Sequence, residues 1–189
     1  TRGWNALYLE NHDQPRSVSR FGDPSRYWYE SATALATAYF LQRGTPFIYQ
    51  GQEIGMLGGD FKTAADFRDV ESMSYMERLG ADEVPEGLAT MSRDNGRTPM
   101  QWDSSPAAGF SETVPWIDVP ASAEQINVAA QADDPQSILT YYRALISARH
   151  VIPALTDGTF TRIDASVPAL FVYRRSAPGS DVLVMVNMS

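Results

Sequence analysis

The segment that most constrains this chain is Leu7 to Asp23, LYLENHDQPRSVSRFGD. The apolar run Ala6-Leu7-Tyr8-Leu9 stops abruptly at the polar triplet Asn11-His12-Asp13. So short and so apolar a run reads as a buried strand rather than a surface helix. A helix-start signal follows, with Asp23 as N-cap and Pro24 at the first helical position. Hydrophobic up to its carboxyl end, then charged, then returned by a helix: this is how a barrel strand delivers active-site groups.

The next elements repeat the pattern. From Tyr27 to Arg43, Trp28, Ala32, Leu35, Ala36, Tyr39 and Phe40 fall on one face at helical spacing. Gly44 and Pro46 end that helix. Pro46-Phe47-Ile48-Tyr49-Gln50 then reads as a second buried strand, followed by the polar turn Gly51-Gln52-Glu53. Two strands joined by a helix with short connections are parallel, so their polar carboxyl ends share a rim.

Residues 57 to 120 are rich in Gly, Pro, Asn and Asp, and a long irregular insertion inside a compact domain is more often functional than accidental. Asp66 to Leu79 reads as one or two short helices anchored by Phe67, Val70 and Leu79. Asp134-Pro135 starts a further helix running to about Arg149, with Ile138, Tyr142, Leu145 and Ile146 on its apolar face and Pro153 closing it. Beyond Thr156-Asp157-Gly158, three strand-like runs appear at 159–163, 169–174 and 182–186, with a turn at Pro178–Asp181. The expected organisation is an α/β part over residues 1–153 and an antiparallel β-domain beginning at 154.

Composition narrows the function classes. A net charge of −8 argues against nucleic acid or an anionic membrane surface as partner and is compatible with a neutral small substrate. No apolar run approaches the roughly 18 residues of a membrane helix. The chain has no cysteine, so neither a disulfide framework nor a thiolate metal site is available, in agreement with a cytoplasmic setting. Its first and last residues read as cut ends, and we expect an internal piece of a longer protein.

The chemistry-bearing candidates are few. His12-Asp13 places an imidazole beside a carboxylate, able to bind hydroxyls or shuttle protons; read blandly, Asn11-His12-Asp13 is a polar turn closing a strand, and its place at a strand end favours function. With His12 and His150 the only histidines, a His-rich metal site has little support and no metal or cofactor is expected. Glu53 is a second carboxylate on the same rim, where a structural role tying down a tight turn is favoured. Arg97, in the long loop, can hold substrate hydroxyls in a fixed fork or serve as a surface salt-bridge group. Trp4, Tyr8, Trp28, Tyr29, Tyr49, Trp102 and Trp116 could include a sugar-stacking platform, though most read as core.

Five stretches carry a resemblance: YLENHDQPRSVSRFGD (8–23), GTPFIYQGQEIGM (44–56), SRDNGRTPMQWD (92–103), GFSETVPWI (109–117) and INV (126–128). In order and spacing they resemble the alpha-amylase superfamily of glycoside hydrolases, and most closely its oligo-1,6-glucosidase and alpha-glucosidase branch. The resemblance implies a partial (β/α)8 TIM barrel, from strand 7 to helix 8, followed by the beginning of an antiparallel β-domain. It implies a retaining mechanism in which Asp13 stabilises the transition state, His12 and Asp13 bind sugar hydroxyls, and Arg97 grips the non-reducing end. The nucleophile and the acid/base would precede Thr1, so this chain alone is expected to be inactive. A small neutral oligosaccharide is the implied substrate: isomaltose or isomaltooligosaccharides, maltose, or sucrose. Sucrose isomerases and trehalose- or trehalulose-forming enzymes share barrel and triad; non-catalytic glucosidase-like subunits are the alternative from another class, and they commonly lose active-site residues, whereas His12, Asp13 and Arg97 are all retained here. Glu10 departs from it, since many relatives carry Asn there. Two barrel strands cannot close, so residues 4 to 50 are expected to self-associate or rearrange, while the helix at 135–149 stays packed on the later strands.

Overall fold

A computed structural model describes residues 3–81 and 83–189 of the chain. Strand β1 (Ala6–Leu7) pairs in parallel with β2 (Thr45–Pro46), Ala6 opposite Thr45, and the chain between them forms helices α1 (Ser17–Phe21) and α2 (Trp28–Phe40). The parallel βαβ unit is therefore present, with shorter strands than the apolar runs suggested. Tyr8 and Phe47, just past the paired residues, are exposed, because among the described residues no further strand lies beside them.

Asp23 does not cap α2. Its Oδ1 accepts from the Ser25 amide and hydroxyl and from the Arg26 amide, closing a turn, and α2 begins later, at Trp28. An aspartate followed by proline satisfies its lone pairs locally in such an Asx turn as readily as at a helix start. The face of α2 follows the pattern read from sequence: Ala32, Leu35, Ala36, Tyr39 and Phe40 are buried.

The insertion folds into α3 (Val70–Leu79) and α4 (Glu86–Met91). Asp69 caps α3 by accepting from the Ser72 amide at 3.0 Å, and Gly80 ends it at φ 61°, where an L side chain would be strained. Of the expected anchors only Phe67 is buried; Val70 and Leu79 face outwards. Met76 takes their place, packing with Phe61, Phe67 and Ile117 in a small core separate from the main one. A one-turn helix α5 (Val128–Gln131) leads to α6 (Ile138–Val151), which Ser137 rather than Asp134 caps, through the Thr140 amide. Pro153 opens α7 (Pro153–Thr156).

Strands β3 (Thr159–Ile163), β4 (Leu170–Ala177) and β5 (Ser180–Asn187) form an antiparallel sheet in the order β3-β4-β5. The main core joins this sheet to the helices: Ala36, Phe40, Ile138, Tyr142, Leu145, Leu155, Tyr173, Val184 and Val186 form one buried cluster. Each large side chain buried there contributes about 1.5–3 kcal/mol. Two arginines lock the junction. Arg149 of α6 donates to the carbonyls of Phe40, Gln42 and Gly44, and Arg175 of β4 donates to the Leu41 carbonyl at 2.7 Å. Both occupy the carboxyl end of α2, where unpaired carbonyls and the helix dipole favour cations.

Candidate active site

The polar triplet after β1 forms a tight turn. Asn11 Oδ1 accepts from the Asp13 amide at 2.8 Å and the Asn11 carbonyl accepts from Gln14 at 3.2 Å, lifting His12 and Asp13 into solvent. His12 Nε2 sits 3.3 Å from Asp13 Oδ2. The other carboxylate oxygen, Oδ1, accepts from Arg97 Nη2 at 2.9 Å, while Arg97 Nε donates to the His12 carbonyl, also at 2.9 Å. The structure thus brings His12, Asp13 and Arg97 into one cluster, with the Asp13 side chain 46% exposed and that of Arg97 24% exposed. One guanidinium edge reads both a carboxylate and a main-chain carbonyl, a geometry that fixes orientation as well as charge.

Glu53 lies elsewhere. It sits in a 3-10 turn, Gln52–Ile54, between Gly51 at φ 86° and Gly55 at φ 67°. Its neighbour Gln52 bridges the Tyr39 and Tyr142 hydroxyls, each at 2.9 Å. Burial raises the Glu53 carboxyl above its ordinary value, and Oε2 has no hydrogen-bond partner among the described residues. Burial likewise pushes Tyr39 up to about 12. Of the seven aromatics singled out from sequence, Trp28 and Tyr49 are partly buried, and Trp4, Tyr8, Tyr29, Trp102 and Trp116 are exposed.

Sequence reasoning missed a second layer of charge. Arg93 Nη2 donates to Asp69 Oδ1 at 2.6 Å, and its Nη1 lies 3.7 Å from Asp13 Oδ1. Asp94, fully buried, accepts from the backbone amides of Arg68 (2.6 Å) and Asp69 (2.8 Å) and lies 3.7 Å from Arg97 Nη1. Burial would raise the Asp69 carboxyl, but the bonds from Ser72 and Arg93 outweigh it and hold it below its usual value. The density of alternating charge in Arg93-Asp94-Asn95-Gly96-Arg97 was the available signal. Glu10 is the other surprise. It is buried, pairs with the fully buried Arg16 at 3.1 Å, and accepts from the Ser17 amide (2.8 Å) and hydroxyl (2.6 Å), so its carboxylate fills the first orphan amide of α1. Among the described residues no three His, Cys, Asp or Glu gather where they could hold a metal ion, and no helix is long and apolar enough to cross a membrane.

The sequence model of the alpha-amylase catalytic domain matches residues 1–158. The chain belongs to the alpha-amylase family. It is 45% identical to an oligo-1,6-glucosidase of Parageobacillus thermoglucosidasius, over all of this chain and 34% of that protein. Among solved structures, a trehalose-6-phosphate hydrolase of Bacillus licheniformis superposes with a TM-score of 0.92 at 41% identity, over 98% of this chain and 34% of the other. An isomaltulose synthase of Erwinia rhapontici NX5 in complex with sucrose superposes with a TM-score of 0.89 at 43% identity, over 99% of this chain and 35% of the other. This alpha-amylase-family chain therefore spans about a third of the length of the relatives it matches.

Proposed function

We propose that the chain is the strand-7-to-helix-8 part of a (β/α)8 barrel, ending near residue 153, with the start of a β-domain from 154, in a cytoplasmic retaining alpha-glucosidase. The observation that supports this most is the convergence of His12, Asp13 and Arg97 at the carboxyl end of β1. In this reading a carboxylate outside the chain attacks the anomeric carbon, a second carboxyl group outside it protonates the leaving oxygen, and water later releases the sugar. Asp13 faces the oxocarbenium-like charge that develops in the transition states on either side of the covalent glycosyl intermediate. A preorganised carboxylate there stabilises the transition state more than the ground state. His12 hydrogen-bonds hydroxyls of the same sugar, and Arg97 orients Asp13 and the non-reducing end. Glycosidases and sugar isomerases among the relatives support a small carbohydrate substrate, for which we favour short oligosaccharides with α-1,6 or α-1,4 glucosidic bonds.

The test is product analysis of the full-length protein carrying this chain, on isomaltose, maltose, sucrose and trehalose 6-phosphate. Glucose released from the non-reducing end of isomaltose or maltose with retained anomeric configuration is the expected result. Isomaltulose or trehalulose formed from sucrose would instead establish an isomerase, and no turnover of any of the four would overturn the reading. This chain by itself supplies Asp13 but neither of the other carboxylates, so it should show no turnover of an aryl α-glucoside.

A further inference from the structure

We infer that Glu10, Arg16 and Tyr49 are positioning residues for Asp13, acting through a closed ring of contacts that joins both strand ends to the Arg97 loop. The inference rests on the reading of Asp13 as the sugar-facing carboxylate. The ring begins inside the protein, where Arg16 Nη1 meets Glu10 Oε2 at 3.1 Å and also donates to the Gln50 carbonyl at 2.6 Å, crossing from the end of β1 to the turn after β2. The Arg16 guanidinium lies over the Tyr49 ring, 5.3 Å from its centroid. Tyr49 then donates its hydroxyl to the Gly96 carbonyl at 2.9 Å. The next residue, Arg97, returns the ring to its start through the His12 carbonyl and Asp13 Oδ1.

The position of Asp13 depends on this ring because Arg97 makes the shortest side-chain contact to it. The Asp13 side chain is half exposed, with His12 Nε2 at 3.3 Å and Arg93 Nη1 at 3.7 Å, so the 2.9 Å bond from Arg97 and the local turn contribute most to where the carboxylate points. The Glu10 and Arg16 side chains, in contrast, are 2% and 0% exposed, and Arg16 bonds through Nη1 alone, its Nε and Nη2 having no hydrogen-bond partner among the described residues. A buried pair of this kind adds little net stability compared with apolar replacements, yet losing one partner leaves an uncompensated charge and shifts whatever it fixes. Gly96 makes the approach close. A Cβ there would come within 2.7 Å of the Asn11 carbonyl and 2.8 Å of the Gln14 carbonyl, so the two loops meet backbone to backbone.

The experiment uses Tyr49→Phe, Glu10→Gln and Asp13→Asn in the full-length protein, reading kcat, KM and thermal midpoint on an aryl α-glucoside. Tyr49→Phe keeps the ring face for Arg16 and removes only the bond to Gly96. Glu10→Gln keeps an acceptor for Ser17 and turns an amide donor against Arg16. Each should lose about 10- to 100-fold in kcat, the scale of a small misplacement of a catalytic group. KM should stay within about twofold of wild type, because the loss is confined to the transition state. Wild-type kcat per active site, titrated with a covalent glucosidase inactivator, accompanied only by a lower thermal midpoint, would overturn the inference in favour of a purely structural role. If Glu10→Gln does not fold, Tyr49→Phe decides alone. Full turnover by Asp13→Asn would sink the proposed function itself; an inactive Asp13→Asn beside fully active Tyr49→Phe and Glu10→Gln would sink only the ring.

Discussion

Arg97 Nη2 donates to Asp13 Oδ1 at 2.9 Å across 84 residues of chain. The contact joins the turn after the first strand to a loop that follows the second, and Arg97 Nε secures it by donating to the His12 carbonyl. A flexible ammonium cannot make both contacts from one position. Arg97→Lys in the full-length protein should therefore reduce kcat/KM about 10²-fold, and Asp13→Asn about 10²- to 10³-fold, as for removal of one preorganised transition-state contact. Steady-state kinetics check both, and an unchanged kcat/KM for Arg97→Lys would show that charge alone suffices.

Asp94 holds the insertion to the site by accepting two backbone amides from inside the protein. Asp94→Ala leaves those amides unpaired, at a cost of about 1–3 kcal/mol each. Urea titration of the full-length protein should show the loss, and proteolysis should be faster in the segment around Arg68. A midpoint equal to wild type would mean that water replaces the carboxylate without penalty.

The Glu53 carboxyl is raised by burial, so its contribution to stability is present below its ordinary value of 4.5 and is lost as pH rises through the raised value. Glu53→Gln carries no such dependence. The variant should match wild type near pH 4 and become the more stable of the two by pH 7, by urea titration at each pH. A difference that shrinks with rising pH would reverse the assignment.

Phe67 belongs to the insertion's own small core, stacked on Phe61 with ring centroids 4.8 Å apart. Phe67→Ala should loosen this unit locally by about 3–5 kcal/mol. Hydrogen exchange should rise across residues 61–88 while α2 and α6 keep their protection, as expected of separate cooperative units. Equal loss of protection in both regions would show that the two cores unfold together.

Much of the framework was legible along the chain. The apolar face of α2 and the existence of the strands after residue 158 follow from periodicity and turn residues, which depend on neighbours within a few positions, and the parallel pairing of β1 with β2 follows from the helical crossover that joins them. Boundaries were less legible: Asp23 and Asp134 read as caps, yet α2 starts at Trp28 and α6 at Ile138, because an aspartate satisfies a turn and a helix end by the same local bonds. The exposed faces of Val70 and Leu79 were misread because a short helix offers two plausible faces until a partner chooses one.

Local patterning places His12 and Asp13 behind a short apolar run and Arg97 in a polar loop. Long-range packing is what brings these three together, sets Arg93, Asp69 and Asp94 as a second layer of charge near them, and makes Glu10 the buried partner of Arg16. Local patterning is set by interactions between residues a few positions apart. The distance from Arg97 to Asp13, or from Arg16 to Gln50, depends on how helices and loops pack between them, and that packing is not written in any one stretch.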